Sequence, residues 1–216
     1  MSQIAVILGT PHTQREAGKR SPDGRLKEYL YGRELICELM PKLQDYGIPT
    51  FVDMMQPNIP KNMQTPSSRL ERQRELALRV NEVNSICDRY GKQNCIYVSL
   101  HVNAAASDNQ WHNASGWQVC VSPQASYNSK LLATLLAEEA LNRNLKVREP
   151  KPGNSYWEQS LYVLNRTHCP AVLTENLFQD NKDDVDFLLT DTGRHIIERL
   201  HIEGILRYIN LIQKQS

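Results

Sequence analysis

QIAVILGTPH, residues 3–12, is a short β-branched apolar run closed by a glycine and followed three residues later by a histidine. The run is too short for a helix, and its lack of polar alternation suits a strand buried on both faces of a sheet. Working outward, Leu26, Leu30, Leu35, Ile36, Leu39, Met40 and Leu43 fall at helical spacing, and Gly47 supplies a stop. IPTFVDM (48–54), NCIYVSL (94–100), WQVCVS (117–122), LYVLN (161–165) and PAVLT (170–174) read as further strands. Helices are expected over about 69–90, 129–143 and 191–213. Strands alternating with helices imply an α/β fold. The proline-bearing stretches 54–68 and 148–160 read as loops.

A chain of 216 residues suits one core, so a single domain over 1–216 is expected. Lys+Arg of 25 against Asp+Glu of 24 leaves a formal charge of +1, which gives no electrostatic reason to expect nucleic acid or an acidic membrane as partner. The opening MSQIAVILGTPH has no basic n-region and no adequate apolar h-region, so synthesis in the cytoplasm without a signal peptide is expected. Five cysteines without a C-x-x-C pair read as free thiols. The mixed-sign run RLERQRELALR (69–79) reads as a solvated helix face rather than a binding patch.

Ligand sites of open α/β sheets lie beyond the carboxyl ends of the strands. His12 follows the first strand, His101 comes directly after CIYVSL, and Glu175 directly after PAVLT. Either histidine alone is by default a hydrogen-bonded structural group. Together with a carboxylate they match the ligand chemistry of a catalytic zinc site, which leaves one position open for water or substrate. A further carboxylate must then take the proton from that water. His112 reads as a loop residue, His168 beside Cys169 as no nucleophilic pair, and His195 and His201 as capping or surface residues of the last helix.

Four segments carry a resemblance: GTPHT, GRLKEYLYGRELICELMPKLQDYG, SLHVNA followed by Gly116 and WQVCV, and VLNRTHCPAVLTENLF. The chain resembles, over nearly its whole length, the zinc-dependent N-acetylmuramoyl-L-alanine amidases of the amidase_3 type. The resemblance implies a three-layer, phosphorylase/hydrolase-like domain with a mixed, mostly parallel sheet flanked by helices. It implies one Zn²⁺ per chain held by His12, Glu28 and His101, with Glu175 as catalytic carboxylate. Glu34 lies in the same helix, and Glu28 is preferred because it opens the first turn. GTPHT lacks the Asp and second Gly of the family's opening box, and Leu177 stands where the family usually has glycine.

The implied substrate is bacterial peptidoglycan, cut between the lactyl group of N-acetylmuramic acid and the L-alanine of the stem peptide. A monomer acting on the cell wall after release or export is expected, as phage endolysins do, and the TENLFQDNKDDVDFLL segment has the look of enzymes from Bacteroidetes or their phages. A zinc carboxypeptidase or deacylase, or a silent wall-binding module, are the alternatives. Asn103 would shape the turn after His101, and Trp111, Tyr156 and Trp157 are candidates for a substrate wall.

Overall fold

The computed structural model describes residues 3–215. Six strands form one sheet: β1 (Ala5–Gly9), β2 (Thr50–Val52), β3 (Cys95–Asn103), β4 (Gln118–Val121), β5 (Trp157–Glu158) and β6 (Ala171–Phe178). Their order is β2-β1-β3-β6-β4-β5, and every pairing is parallel except β4 with β6. The helices are α1 (Glu28–Asp45), α2 (Ser68–Tyr90), α3 (Tyr127–Asn142), α4 (Tyr162–Arg166), α5 (Lys182–Leu188) and α6 (Asp191–Gln215).

The two-residue period of the strands sorts the core into two layers. Val6, Leu8, Ile96, Val98, Leu100, Val119, Val121 and Val172 pack with Leu35, Ile36 and Leu39 of α1, Leu132 and Leu136 of α3, and Ile197, Leu200 and Ile205 of α6. The alternate residues Ala5, Ile7, Cys95, Tyr97, Cys120, Ala171 and Leu173 pack with Val80, Val83 and Ile86 of α2 and Val163 and Leu164 of α4. Both faces of the sheet are covered, which is why its strands read as unbroken apolar runs. All five cysteines are free, and four of them are buried. No helix among the described residues is long and apolar enough to cross a membrane.

LYVLN is not a strand. Its residues begin the one-and-a-half-turn helix α4, with Val163 and Leu164 buried and Tyr162 exposed. A five-residue apolar run has no periodicity that separates a strand from one buried helical face. The strand in this region is β5, two residues within the stretch read as loop, paired in parallel with β4. The helix α5 was also not anticipated. Asn181 caps it by accepting from Asp184 N–H, with Asp183 and Asp184 in its first turn.

The run 69–79 also departs from a solvated face. Glu71, Glu75 and Arg79, spaced by four, are all buried against the rest of the protein. Within the run Arg69, Leu70, Arg72 and Gln73 remain exposed, and Arg74, Leu76, Ala77 and Leu78 are half-buried. His201 is fully buried rather than at the surface of α6.

Candidate metal centre

The site stands at the carboxyl edge of the parallel strands. β3 and β6 run further than their apolar runs indicate, so His101 and Glu175 lie within the strands, near their ends, and pair directly across the ladder. The register then shifts: Asn103 pairs with Phe178, so β6 carries one residue more than β3 over this step. Leu177 takes up the extra residue with φ of 66°, a left-handed conformation that leucine rarely adopts. The backbone beside Glu175 therefore has a glycine-like conformation although glycine is absent.

His12 is delivered by the loop between β1 and α1. Gly18 and Gly24 turn this loop in left-handed conformations, Arg20 bridges Lys27, and Lys19 C=O accepts from Glu28 N–H at 3.0 Å. Two buried guanidiniums grip the backbone at the histidine. Arg33 donates to Pro11 O, His12 O, Met55 O and Gln56 O at 3.0–3.1 Å. Arg79 donates to Pro11 O and His12 O at 3.3 and 3.4 Å and pairs with Asp53 and Glu75 at 3.0 and 2.8 Å. Thr10 N–H and Tyr97 O–H donate to the same Asp53 carboxylate. These carbonyl and carboxylate partners satisfy charges that would otherwise be costly to bury.

Glu28 opens α1 and is 1% exposed. Its Oε1 accepts from Val102 N–H at 3.1 Å and lies 3.0 Å from His101 Nδ1; its Oε2 lies 3.4 Å from His12 Nε2. The two imidazoles meet edge to face with centroids 5.1 Å apart. One ligand atom from each of His12, Glu28 and His101 falls within 4.8 Å of the others, a spacing that a single metal ion can bridge. Oε2 of Glu28 is buried without a hydrogen-bond partner, an orphan acceptor aimed at the cluster. Burial pushes the Glu28 carboxyl up, but the His12 and His101 rings outweigh it and hold the group well below the usual carboxylate range. Glu34, the other carboxylate of the helix, turns away and pairs with Arg194.

Glu175 stands beside this cluster rather than in it. Its Oε2 is buried and unpartnered, and burial raises its pKa to about 7, with His101 opposing and Glu28 reinforcing the shift. Glu16 Oε2 lies 2.7 Å from His12 Nδ1, so the ring nitrogen facing away from Glu28 has its own carboxylate. Asn176 donates to His101 O at 3.1 Å and accepts from the indole N–H of the buried Trp117 at 2.8 Å, fixing the β3 carbonyl at the site.

His12 and His101 line a cleft of about 90 Å³ with Arg72, Leu161, Tyr162 and Leu173 among its walls. Asn103, Trp111, Tyr156 and Trp157 do not line that cleft. Asn103 Oδ1 accepts from Ala104 N–H at 2.8 Å in the turn after His101, and Trp157 donates its indole N–H to Arg148 O within its own loop. Tyr156 lies under the Lys130 ammonium, and Trp111 is partly exposed. Sequence reading missed Glu16, Arg33, Arg79, Asn176 and Tyr162. Only Glu16, four residues after His12, carried a local signal.

The family model described as N-acetylmuramoyl-L-alanine amidase matches residues 6–207. The endolysin of Bacillus phage SPP1 is 30% identical over 135 residues, 61% of this chain and 48% of that protein. N-acetylmuramoyl-L-alanine amidase CwlM of Bacillus licheniformis is 28% identical over 137 residues, 63% of this chain and 47% of that protein. The chain thus spans about half the length of these curated relatives. Among solved structures, the N-acetylmuramoyl-L-alanine amidase of Clostridium difficile 630 superposes with a TM-score of 0.77 at 17% identity, covering 97% of this chain and 98% of that one. The CwlD amidase of Clostridioides difficile, solved in complex with the GerS lipoprotein, gives 0.75 at 19%, covering 97% and 100%.

Proposed function

Because the chain belongs to the amidase_3 family of N-acetylmuramoyl-L-alanine amidases, we propose that it hydrolyses the amide between the lactyl group of N-acetylmuramic acid and the L-alanine of the peptidoglycan stem peptide. The observation that carries the proposal is the convergence of His12, Glu28 and His101 around an orphaned buried oxygen, with an unpartnered carboxylate beside them. Two imidazole nitrogens and one carboxylate oxygen are a zinc-type donor set, so one Zn²⁺ is the expected ion. When bound, it supplies Lewis acidity toward the scissile carbonyl and makes water acidic near neutral pH.

The chain's own groups do the rest. Glu28 lends a fixed negative charge, and Glu16 orients the His12 ring from behind. Glu175 takes the proton of the attacking water at its carboxylate and returns it to the departing alanine nitrogen. Its burial favours the second half of that exchange, since desolvation disfavours the charged carboxylate and so favours its taking up a proton to pass on. Tyr162 of the cleft is a wall for the substrate.

Digestion of purified peptidoglycan followed by mass spectrometry tests the reading. New alanine amino termini and intact peptides are expected. Shortened peptides would instead identify a carboxypeptidase, and unchanged material a binding module. The catalytic unit is proposed to be residues 1–216 acting as a monomer at the cell wall.

A further inference from the structure

Resting on the amidase reading, a second feature points to what the enzyme recognises. The loop after β1 and the first turns of α2 enclose a groove of about 640 Å³, with Thr13, Arg15, Glu16, Arg69, Arg72 and Leu76 among its walls. Glu16, Arg72 and Leu76 also line the cleft that holds His12 and His101, so the two spaces share a wall.

The groove's charges are sorted by direction. Its carboxylates face inward and are engaged: Glu16 with His12 at 2.7 Å, Glu71 with Arg15 and Thr65 N–H at 2.7 and 2.9 Å, Glu75 with Arg79 at 2.8 Å. Arg72 keeps 56% of its side chain exposed and reaches Glu16 only at 3.6 Å. Arg69 is exposed and makes no ion pair among the described residues. Two guanidiniums thus face an open groove whose acidic groups already have partners.

We propose that this groove is a subsite for a free carboxylate on the second residue of the stem peptide, bound by Arg72 and Arg69. Around the scissile bond the glycan offers neutral hydroxyls and acetamides, whereas the peptide carries carboxylates, and a guanidinium fork matches a carboxylate in two directed hydrogen bonds. One residue beyond the alanine, an extended chain places that carboxylate about 7 Å from the scissile nitrogen. Arg72 stands one bridging carboxylate, Glu16, away from the His12 ring.

The test uses two N-acetylmuramoyl tripeptides that differ only in a free α-carboxylate or its carboxamide on the second residue. The parent is expected to favour the acid about ten-fold in kcat/KM, expressed in KM. Arg69→Gln and Arg72→Gln should each bring the ratio toward one, and the double variant should abolish it. Because Arg72 also touches Glu16, a rate loss shared by both substrates reports only the positioning of His12, and the ratio is the readout. Equal kcat/KM for the two substrates in the parent, or a preference surviving in the double variant, overturns the subsite. Failure of the amidase reading shows differently, as cleavage of neither substrate. Calorimetric titration with the matching free tripeptides then decides the subsite alone: tighter binding of the acid, lost in the double variant, upholds it, and equal binding overturns it.

Discussion

At the scale of single residues, the centre divides into groups that hold a cation and a group that moves a proton, and substitutions should separate them. His101→Ala removes a donor and Glu28→Gln replaces the charged carboxylate by a neutral, weaker amide oxygen, so metal content and hydrolysis should fall together in each. Glu175→Gln removes none of the proposed ligands; it should keep its metal and lose about 10²–10⁴-fold in kcat. Metal analysis beside turnover checks this, and loss of metal in Glu175→Gln would speak against the division. A second expectation concerns Arg79, whose loss leaves Asp53 and Glu75 buried without their counter-charge. Arg79→Met should cost about 3–5 kcal/mol in denaturant unfolding. His201 carries a pH dependence of stability. Its Nδ1 lies 2.7 Å from Ile197 O and its Nε2 3.0 Å from Thr174 Oγ1, an arrangement that a neutral ring satisfies on both sides. Burial lowers its pKa from 6.5 to about 4. The unfolded chain therefore takes up a proton that the folded one refuses. This stabilisation is fully present above pH 6.5, and about 3 kcal/mol of it is lost as the pH falls toward 4. Unfolding free energies of the parent and His201→Gln across that window check the slope, which should be shallower in the variant.

At the scale of elements, two close fits tie the backbone to the chemistry. Gly32 of α1 lies where a Cβ would stand 2.3 Å from Pro11 Cδ and 3.2 Å from Leu100 O. Gly32→Ala raises helix propensity by about 1 kcal/mol, yet it should push Pro11 and with it His12 outward. Weaker metal binding in a folded protein is the expected outcome of titration; unchanged affinity would show that the contact does not position the loop. On β6, the buried Leu177 in its left-handed conformation predicts an unusual order of stability. Leu177→Gly loses apolar burial but relieves about 1–2 kcal/mol of backbone strain, whereas Leu177→Ala loses the burial and keeps the strain. Thermal melts should therefore rank Leu above Gly and Gly above Ala, the reverse of the usual effect of glycine in a strand. The long amphipathic helices were legible in the sequence by their period, and the strands β1, β3 and β6 as short, unbroken, β-branched apolar runs bounded by turns. The helix α4 was not, since LYVLN is too short to show a period, and that misreading hid Tyr162 from the cleft. Glu71, Glu75 and Arg79 were likewise hidden. A mixed-charge helix reads as solvated unless the partners that neutralise it are known, and those partners, Asp53 and the carbonyls of Pro11 and His12, lie far away in the chain.

At the scale of the whole molecule, the fold places the site by gathering what the chain holds far apart. Parallel strands carry His101 and Glu175 to one edge in register, the loop after β1 brings His12, and the first turn of α1 brings Glu28. The chemistry was legible as residue types at strand ends, together with the family resemblance. The buried Arg33 and Arg79 that hold the opening loop were not, because that loop departs from the family box and its support comes from two other helices. The most direct measurement is zinc stoichiometry and release of alanine amino termini from peptidoglycan, made together on the parent, His101→Ala and Glu175→Gln. The account predicts about one zinc and active hydrolysis in the parent, neither in His101→Ala, and zinc without hydrolysis in Glu175→Gln. Full hydrolysis by metal-free protein, or by Glu175→Gln, would contradict it.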